Sequence, residues 1–374
     1  MFIELHMIQN FGPSCLNRDD TNTPKDCQFG GFRRARISSQ CLKRAIRNYF
    51  KDNLSEMEEY LGVRTRLLPK KVLEKLLENG KDENEATEIT KKILKKFKFK
   101  LDGDSTTQTD VLLFLNNDTH KKIAKFILEN WNDLKGKVNN STVKPLIDEL
   151  ENDLDVDIAL FGRMVASNTD LNVDSACYMA HAISTHKVDM EMDFYTALDD
   201  LQEETESGAG MMGIIMYNSS CFYRYSVLDF NQLLSNLSKN HDLTTSVIEG
   251  FLKASINAIP TGKQTSMASF NKPDFIMITI RSDQPWSLTN AFSNPVKVGY
   301  KDTDLIEQSI NKLDEYFNDI NTLYNTIEDL DVHYCITGNK ELKYIGQKGK
   351  KYVSIDKMIK KIGESINERY SSSP

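Results

Sequence analysis

The segment FIELHMI reads as a first strand, and a long polar loop is expected from Asn10 to Gly31. Ser38 and Ser39 are good N-cap residues. Neither Pro nor Gly follows until well past Phe50, so a helix is predicted to begin there. At about 100 degrees per residue, Gln40, Lys43, Arg44, Arg47 and Lys51 fall within one arc of roughly 100 degrees. Cys41, Leu42, Ala45, Ile46, Tyr49 and Phe50 occupy the remainder, so one stripe is cationic and the other packs. Residues 55–152 read as mostly helical, with charged amphipathic runs such as KKVLEKLLENG and HKKIAKFILENW. LDVDIALFG returns to strand character, and residues 173–186 (VDSACYMAHAISTH) have strand or buried character. The C-terminal stretch alternates a helix (DLIEQSINKLDEYFNDINTLYN), a short strand (VHYCIT) and a terminal helix (SIDKMIKKIGESINE), with a frayed SSSP tail.

One segment keeps a strict two-residue period. In KVDMEMDFYT, Val188, Met190, Met192 and Phe194 alternate with Lys187, Asp189, Glu191 and Asp193. Ser207, Gly208 and Gly210 supply a turn, and MMGIIMYNSSCFYRY reads as the return strand. The pair is either a core hairpin or a projecting arm whose Met or Phe wedges between stacked bases. Residues 189–206 carry eight Asp or Glu and no Lys or Arg. They form either a solvated acidic loop or an arm directed at the next copy in a head-to-tail filament.

Charge sharpens the reading of the first helix. The chain has a formal net charge of -7, yet Lys25–Lys51 carries eight Lys or Arg against one Asp. A positive island on an acidic protein implies a local anionic partner, with a polyphosphate backbone the obvious one. The cationic stripe starts at a helix N-terminus, where free N–H groups favour an anion. Gly30 and Gly31 just upstream would let backbone approach a ligand closely.

Other features exclude more than they suggest. At 374 residues the chain fits one elaborated domain or two. No stretch is long and apolar enough to span a membrane, and MFIELHMIQNF lacks the layout of a signal peptide. Cysteines at 15, 27, 41, 177, 221 and 335 form no C-x-x-C pair, so neither zinc nor a disulfide framework is indicated. The expectation is a cytoplasmic protein with no metal and no cofactor. His181 and His186 lie five apart, which suits core or hydrogen-bonding roles rather than a metal site.

Together these residues resemble a known family. PSCLNRDDTNTPKDCQFGGFRRARISSQCLKRAIR is similar to the N-terminal signature of CasC, the crRNA-binding backbone subunit of the type I-E CRISPR Cascade complex, in the Cas-seven superfamily. The likeness recurs in VDIALFGRM, AHAISTHKVDMEMDFYTALDDLQEE, CFYRY and NAF at Asn290–Phe292. It implies an α+β fold with an RRM-like (ferredoxin-like) palm, residues 1–54 and 153–374. A helical finger insertion would occupy 55–152, and a thumb β-hairpin 187–220. The implied partners are crRNA, a target DNA strand, further copies of the chain arranged head-to-tail (six in the resembled complex) and other Cascade subunits. The palm would grip the guide backbone without catalysis, in antiviral defence. The thumb would flip out bases at intervals and leave segments to pair with target DNA.

By the same resemblance Arg18, Lys25, Ser38, Gln40, Lys43 and Arg47 would contact the guide, and Arg44 is a further candidate from the cationic stripe. Lys263 and Gln264, in the loop TGKQT, would make a second contact, and Met164 would lie near the guide bases. Phe194, Tyr195 and Thr196 would hold the displaced base, and Met212 would cover it. Two rival readings remain. Asp19, Asp20 and Asp26 near the island could hold Mg²⁺ in a metal-dependent endoribonuclease, although Asp-Asp in a polar loop is commonly turn chemistry. A generic RNA-binding module would need paired RNP motifs, which the sequence lacks. The Lys-rich run KKILKKFKFK at 91–100 is either a solvated face or a contact to target DNA.

Overall fold

The computed structural model describes residues 1–54, 60–103, 105–136, 138–152, 154–165, 168–197, 211–297, 304–326, 330–338 and 340–371. The turn residues Ser207, Gly208 and Gly210, the acidic residues beyond Ala197 and most of the SSSP tail lie outside them. Along the chain come β1 (Phe2–Ser14), β2 (Asp26–Phe29), β3 (Phe32–Ile37), α1 (Ser39–Asn53), β4 (Val63–Thr65), α2 (Leu68–Glu78) and α3 (Glu83–Lys96). Next are β5 (Leu113–Leu115), α4 (Thr119–Glu129), α5 (Trp131–Lys135), α6 (Asn140–Asn152), α7 (Val156–Phe161), β6 (Cys177–Met179) and β7 (Ala182–Ser184). Then follow β8 (Glu191–Ala197), β9 (Met211–Asp229), α8 (Phe230–Asn236), α9 (His241–Asn257), α10 (Gln264–Met267) and β10 (Phe275–Arg281). The chain closes with α11 (Leu305–Tyr324), β11 (Asp331–Ile336), α12 (Ile345–Lys348), β12 (Lys350–Lys351) and α13 (Ile355–Ser371).

The fold is mixed α+β, and it divides into two compact units. Residues 1–49, 178–227 and 248–374 form the first, and residues 50–177 and 228–247 the second. The large sheet runs β12-β11-β10-β1-β9-β7-β3-β2, with β6 and β8 also pairing with β9. Both faces of this sheet are covered, so its central strands do not show a simple inward-outward alternation. Ile8, Tyr223, Phe275 and Met277 pack with Phe292, Leu313 and Phe317 on one side. Phe11, Ala35, Ile37 and Phe222 pack with Leu42 of α1 on the other.

β1 runs on to Ser14, so the expected loop from Asn10 begins later. The sequence hid this because beyond Ile8 β1 still buries polar residues, Gln9 and Ser14, that find partners. Glu4 accepts from Tyr225, Thr279, Arg281 and the Trp286 N–H. Arg224 donates to Gln9. Gly30 and Gly31, at φ +61° and +81°, form the two-residue turn between β2 and β3.

The second unit is mainly helical, with a core of Val72, Leu76, Ile89, Ile93, Phe97, Ile123, Ile127 and Leu134. LDVDIALFG, expected as a strand, is helix α7, ended by Gly162 at φ +74°. Val156, Ile158, Ala159 and Leu160 are all buried. A helix buried all round reads as a continuous apolar run, which periodicity cannot separate from a strand. Part of the Lys-rich run is structural, since Lys92 Nζ donates to the carbonyls of Lys135 and Gly136 at the end of α5. Lys91 pairs with Glu88, and Lys96 donates to Asn140.

A candidate nucleic-acid interface on the first unit

Helix α1 begins where the cap chemistry places it. Ser38 is buried, its Oγ accepts the Cys41 N–H at 3.3 Å, and its own N–H donates to Asn17 Oδ1 at 2.8 Å. Ser38 therefore caps the helix start. Leu42, Ala45, Ile46 and Phe50 are buried. Gln40, Arg44 and Lys51 are exposed, with Lys43 and Arg47 half-buried between them.

The loop after β1 is shaped by Asp19. Its Oδ1 accepts from Thr21 N, Thr21 Oγ1 and Thr23 N at 2.9, 2.8 and 2.9 Å. The Thr21 hydroxyl leads in holding this carboxylate below its usual range. The turn carries Arg18, whose guanidinium donates to Asn22 Oδ1 at 3.0 Å.

The loop TGKQT comes to the same place. A side chain on Gly262 would collide with the Leu16 and Cys15 carbonyls, so only glycine permits this approach. A cleft of about 330 Å³ results, lined by Arg18, Asn22, Arg44, Asn48, Thr261 and Gly262 among others. Lys25 and Lys263 are close by, as two thiols register. Burial pushes the Cys15 thiol up while Arg18 and Lys263 pull it down, and burial pushes Cys41 up against Arg44 and Lys25. Lys263 sits at φ +53°, before the single turn α10. Gln264 is a brace: its Nε2 donates to the carbonyls of Pro260 and Ser269 at 3.0 and 3.1 Å.

Two cations of the island act otherwise than the run suggested. Arg34 is fully buried and donates to the Ser184, Phe292 and Ser293 carbonyls at 3.0, 2.7 and 3.3 Å. It thereby ties the NAF segment to β7. Arg33 pairs with Asp26. Gly30 approaches the Ser293 carbonyl so closely that a Cβ could not fit, so its partner is this chain rather than a ligand. Arg36 was not singled out from the sequence, yet it lies near the cluster. Its Nη1 is 3.1 Å from His181 Nδ1, and burial, then Arg36 and Lys25, push that imidazole down. Its place in the island was the only signal.

Strands β8 and β9 form a hairpin in which all seven β8 residues are exposed. The register pairs Thr196 with Met212, Tyr195 with Gly213 and Phe194 with Ile214. Directly opposed residues share a face. Phe194, Thr196 and Met212 are therefore together, and Tyr195 is on the other side. The Phe194 face continues to Met192 and Ile214. Exposures along it are 67% for Met192, 61% for Phe194, 66% for Met212 and 64% for Ile214, against 37% for Tyr195. At its base, the Thr23 hydroxyl meets Met216 Sδ at 3.5 Å. The apolar face thus adjoins the loop that carries Arg18 and Lys25. Met164 belongs to the second unit, where it is 88% exposed next to the Arg163–Val173 bridge.

A basic cleft beside α1, with a hairpin nearby whose apolar face is exposed, is a surface suited to a single-stranded polyanion. The chain belongs to the CT1975-like protein family, whose model matches residues 3–361. It is also similar to a solved chain of a CRISPR RNA-guided surveillance complex in a pre-nicking state. That likeness has 27% identity and TM-score 0.86, covering 98% of this chain and 100% of that one. A second chain, from a CRISPR RNA-guided surveillance complex, shares the fold at 23% identity and TM-score 0.75, again over 98% and 100%. No curated protein matches the chain. The likeness to a CRISPR backbone subunit read from the sequence motifs is borne out by these matches. Among the described residues, no helix is long and apolar enough to cross a membrane.

Proposed function

We propose that this chain is a non-catalytic backbone subunit of a Cascade surveillance complex that polymerises along crRNA. The first unit serves as an RRM-like palm and grips guide phosphates. The hairpin is a thumb whose Phe194, Thr196 and Met212 face holds a displaced base. The guide segments between thumbs pair with a target DNA strand, and copies join head-to-tail with other Cascade subunits at the ends. The helical residues 55–152 form a finger, in which the exposed lysines Lys95, Lys98 and Lys100 of the 91–100 run approach nucleic acid, as does Met164 beyond it.

One observation carries this reading: Arg18 and Arg44 line one cleft beside α1, the Lys25 N–H donates to the carbonyl of its wall residue Asn17, and Lys263 directly follows its wall residue Gly262. Lys43 and Arg47 lie on the same helix, half-buried. Phosphate contacts position without specifying, so one subunit can serve guides of any spacer sequence. A metal-dependent endoribonuclease ranks below this reading, because Asp19 is spent on its turn and Asp26 on Arg33. The test is to purify the chain with a guide RNA and image the product by electron microscopy. Regular copies along the guide are expected. A 1:1 particle, or guide cleavage on adding Mg²⁺, would refute the proposal.

A further inference from the structure

The hairpin's geometry separates Tyr195 from the residues it neighbours in sequence. Its ring lies across Gly213, the residue directly opposite. A methyl group placed on Gly213 would fall 2.5 Å from Tyr195 Oη and 2.7 Å from Cε1. Gly213 is therefore a seat for the ring, an aromatic packed over a strand glycine.

The hairpin needs such a device. Register is strongly specified where one face of a strand is buried and weakly specified where neither is. All seven residues of β8 are exposed, so burial selects no register. Residues 198–210, which join Ala197 to Met211, lie outside the described residues. The root is held, because Val188 is buried with its N–H on the Arg33 carbonyl at 3.0 Å, and Tyr217 donates to Glu191 at 3.4 Å. Beyond Glu191 the remaining cross-strand pair with a ring seated in a matching gap is Tyr195 and Gly213. A one-residue slip would carry Phe194 and Thr196 away from Ile214 and Met212 and break up the apolar face.

We infer that Tyr195 is a positioning residue that sets the thumb register through Gly213, and that it does not hold the displaced base. The consequence for guide RNA rests on the function proposed above; the register claim does not.

Disulfide trapping reads the register directly. Asp193 and Ile215 are opposed on the Tyr195 face, so Asp193→Cys with Ile215→Cys should trap efficiently, and Asp193→Cys with Ile214→Cys poorly. Mass mapping identifies the engineered bridge among the native thiols. Adding Tyr195→Ala should lower trapping of the first pair about threefold, the factor a good cross-strand aromatic contact supplies, and raise the second. Gly213→Val should do the same although valine is the better strand former. Tyr195→Phe should restore the parental pattern, because the ring and not the hydroxyl fills the seat. Unchanged trapping in Tyr195→Ala, or in Gly213→Val, overturns the lock. A guide carrying 2-aminopurine at the displaced position supplies the second readout, with its unstacked fluorescence lost in Tyr195→Ala and kept in Tyr195→Phe. If trapping shifts while fluorescence does not, the lock stands and the proposed role of the hairpin on the guide fails.

Discussion

Salt dependence of guide binding follows from the cleft and is countable. Arg18 and Arg44 line it, Lys25 and Lys263 adjoin its wall residues Asn17 and Gly262, and Lys43 and Arg47 lie on α1. For single strands the logarithm of the binding constant falls by about 0.7 per neutralised phosphate for each decade of salt. Six contacts give a slope near about -4.2, and removing two brings it to about -2.8. The chosen variant is Arg44→Ala with Lys263→Asn. Arg44 is exposed, and Asn tolerates the left-handed backbone at position 263. From 50 to 200 mM salt the parent should lose roughly 300-fold in affinity and the variant only about 50-fold. Fluorescence anisotropy with a guide too short for two copies measures this, using two unrelated sequences. Both should give the same slopes, and a melt should show the variant folded. An unchanged slope, or loss confined to one guide sequence, would mean that these cations do not meet phosphates.

Three stability predictions accompany it. Ser38→Ala removes the α1 cap and should cost about 1 kcal/mol in urea unfolding; no change would show that Asn17 alone organises the turn. Arg34→Met strands three buried carbonyls and should cost about 2–4 kcal/mol, whereas Arg33→Ala should cost under about 1 kcal/mol because its ion pair is exposed. Equal costs would contradict the assigned roles. His6 is buried, and burial pushes its pKa from 6.5 down to about 4. Its Nδ1 lies 2.8 Å from Tyr223 Oη, which also accepts the Leu288 N–H. The folded pKa lies below the unfolded one, so folding favours the neutral ring. Its full stabilising margin is present above pH 6.5 and is lost as pH falls towards 4, by up to about 3 kcal/mol. His186 is also pushed down, so the comparison is the difference from His6→Gln, which should flatten this window only in part. Identical profiles would rule His6 out.

Local chemistry was legible in the chain. Helix α1, its cap and its cationic stripe follow from neighbours in sequence, because capping and the 3.6-residue period act over one or two turns. Strand β8 follows from the two-residue period of 187–196. Where burial rather than periodicity shapes an element, the pattern misleads. α7 reads as a strand because it is apolar except for Asp157, which is itself buried, and β1 hides its length behind Gln9, whose partner Arg224 lies more than two hundred residues away.

The sequence by itself determined that a positive helix face exists on an acidic chain, and which residue types carry it. Only the tertiary structure decided which charges gather. It sends Arg34 inward to three carbonyls, uses Gln264 as a brace, and brings Lys263 against a loop more than two hundred residues earlier through the space that Gly262 leaves open. It also turns Tyr195 away from Phe194, because a pleated strand sends adjacent side chains to opposite faces and only the opposing strand reveals what each face meets.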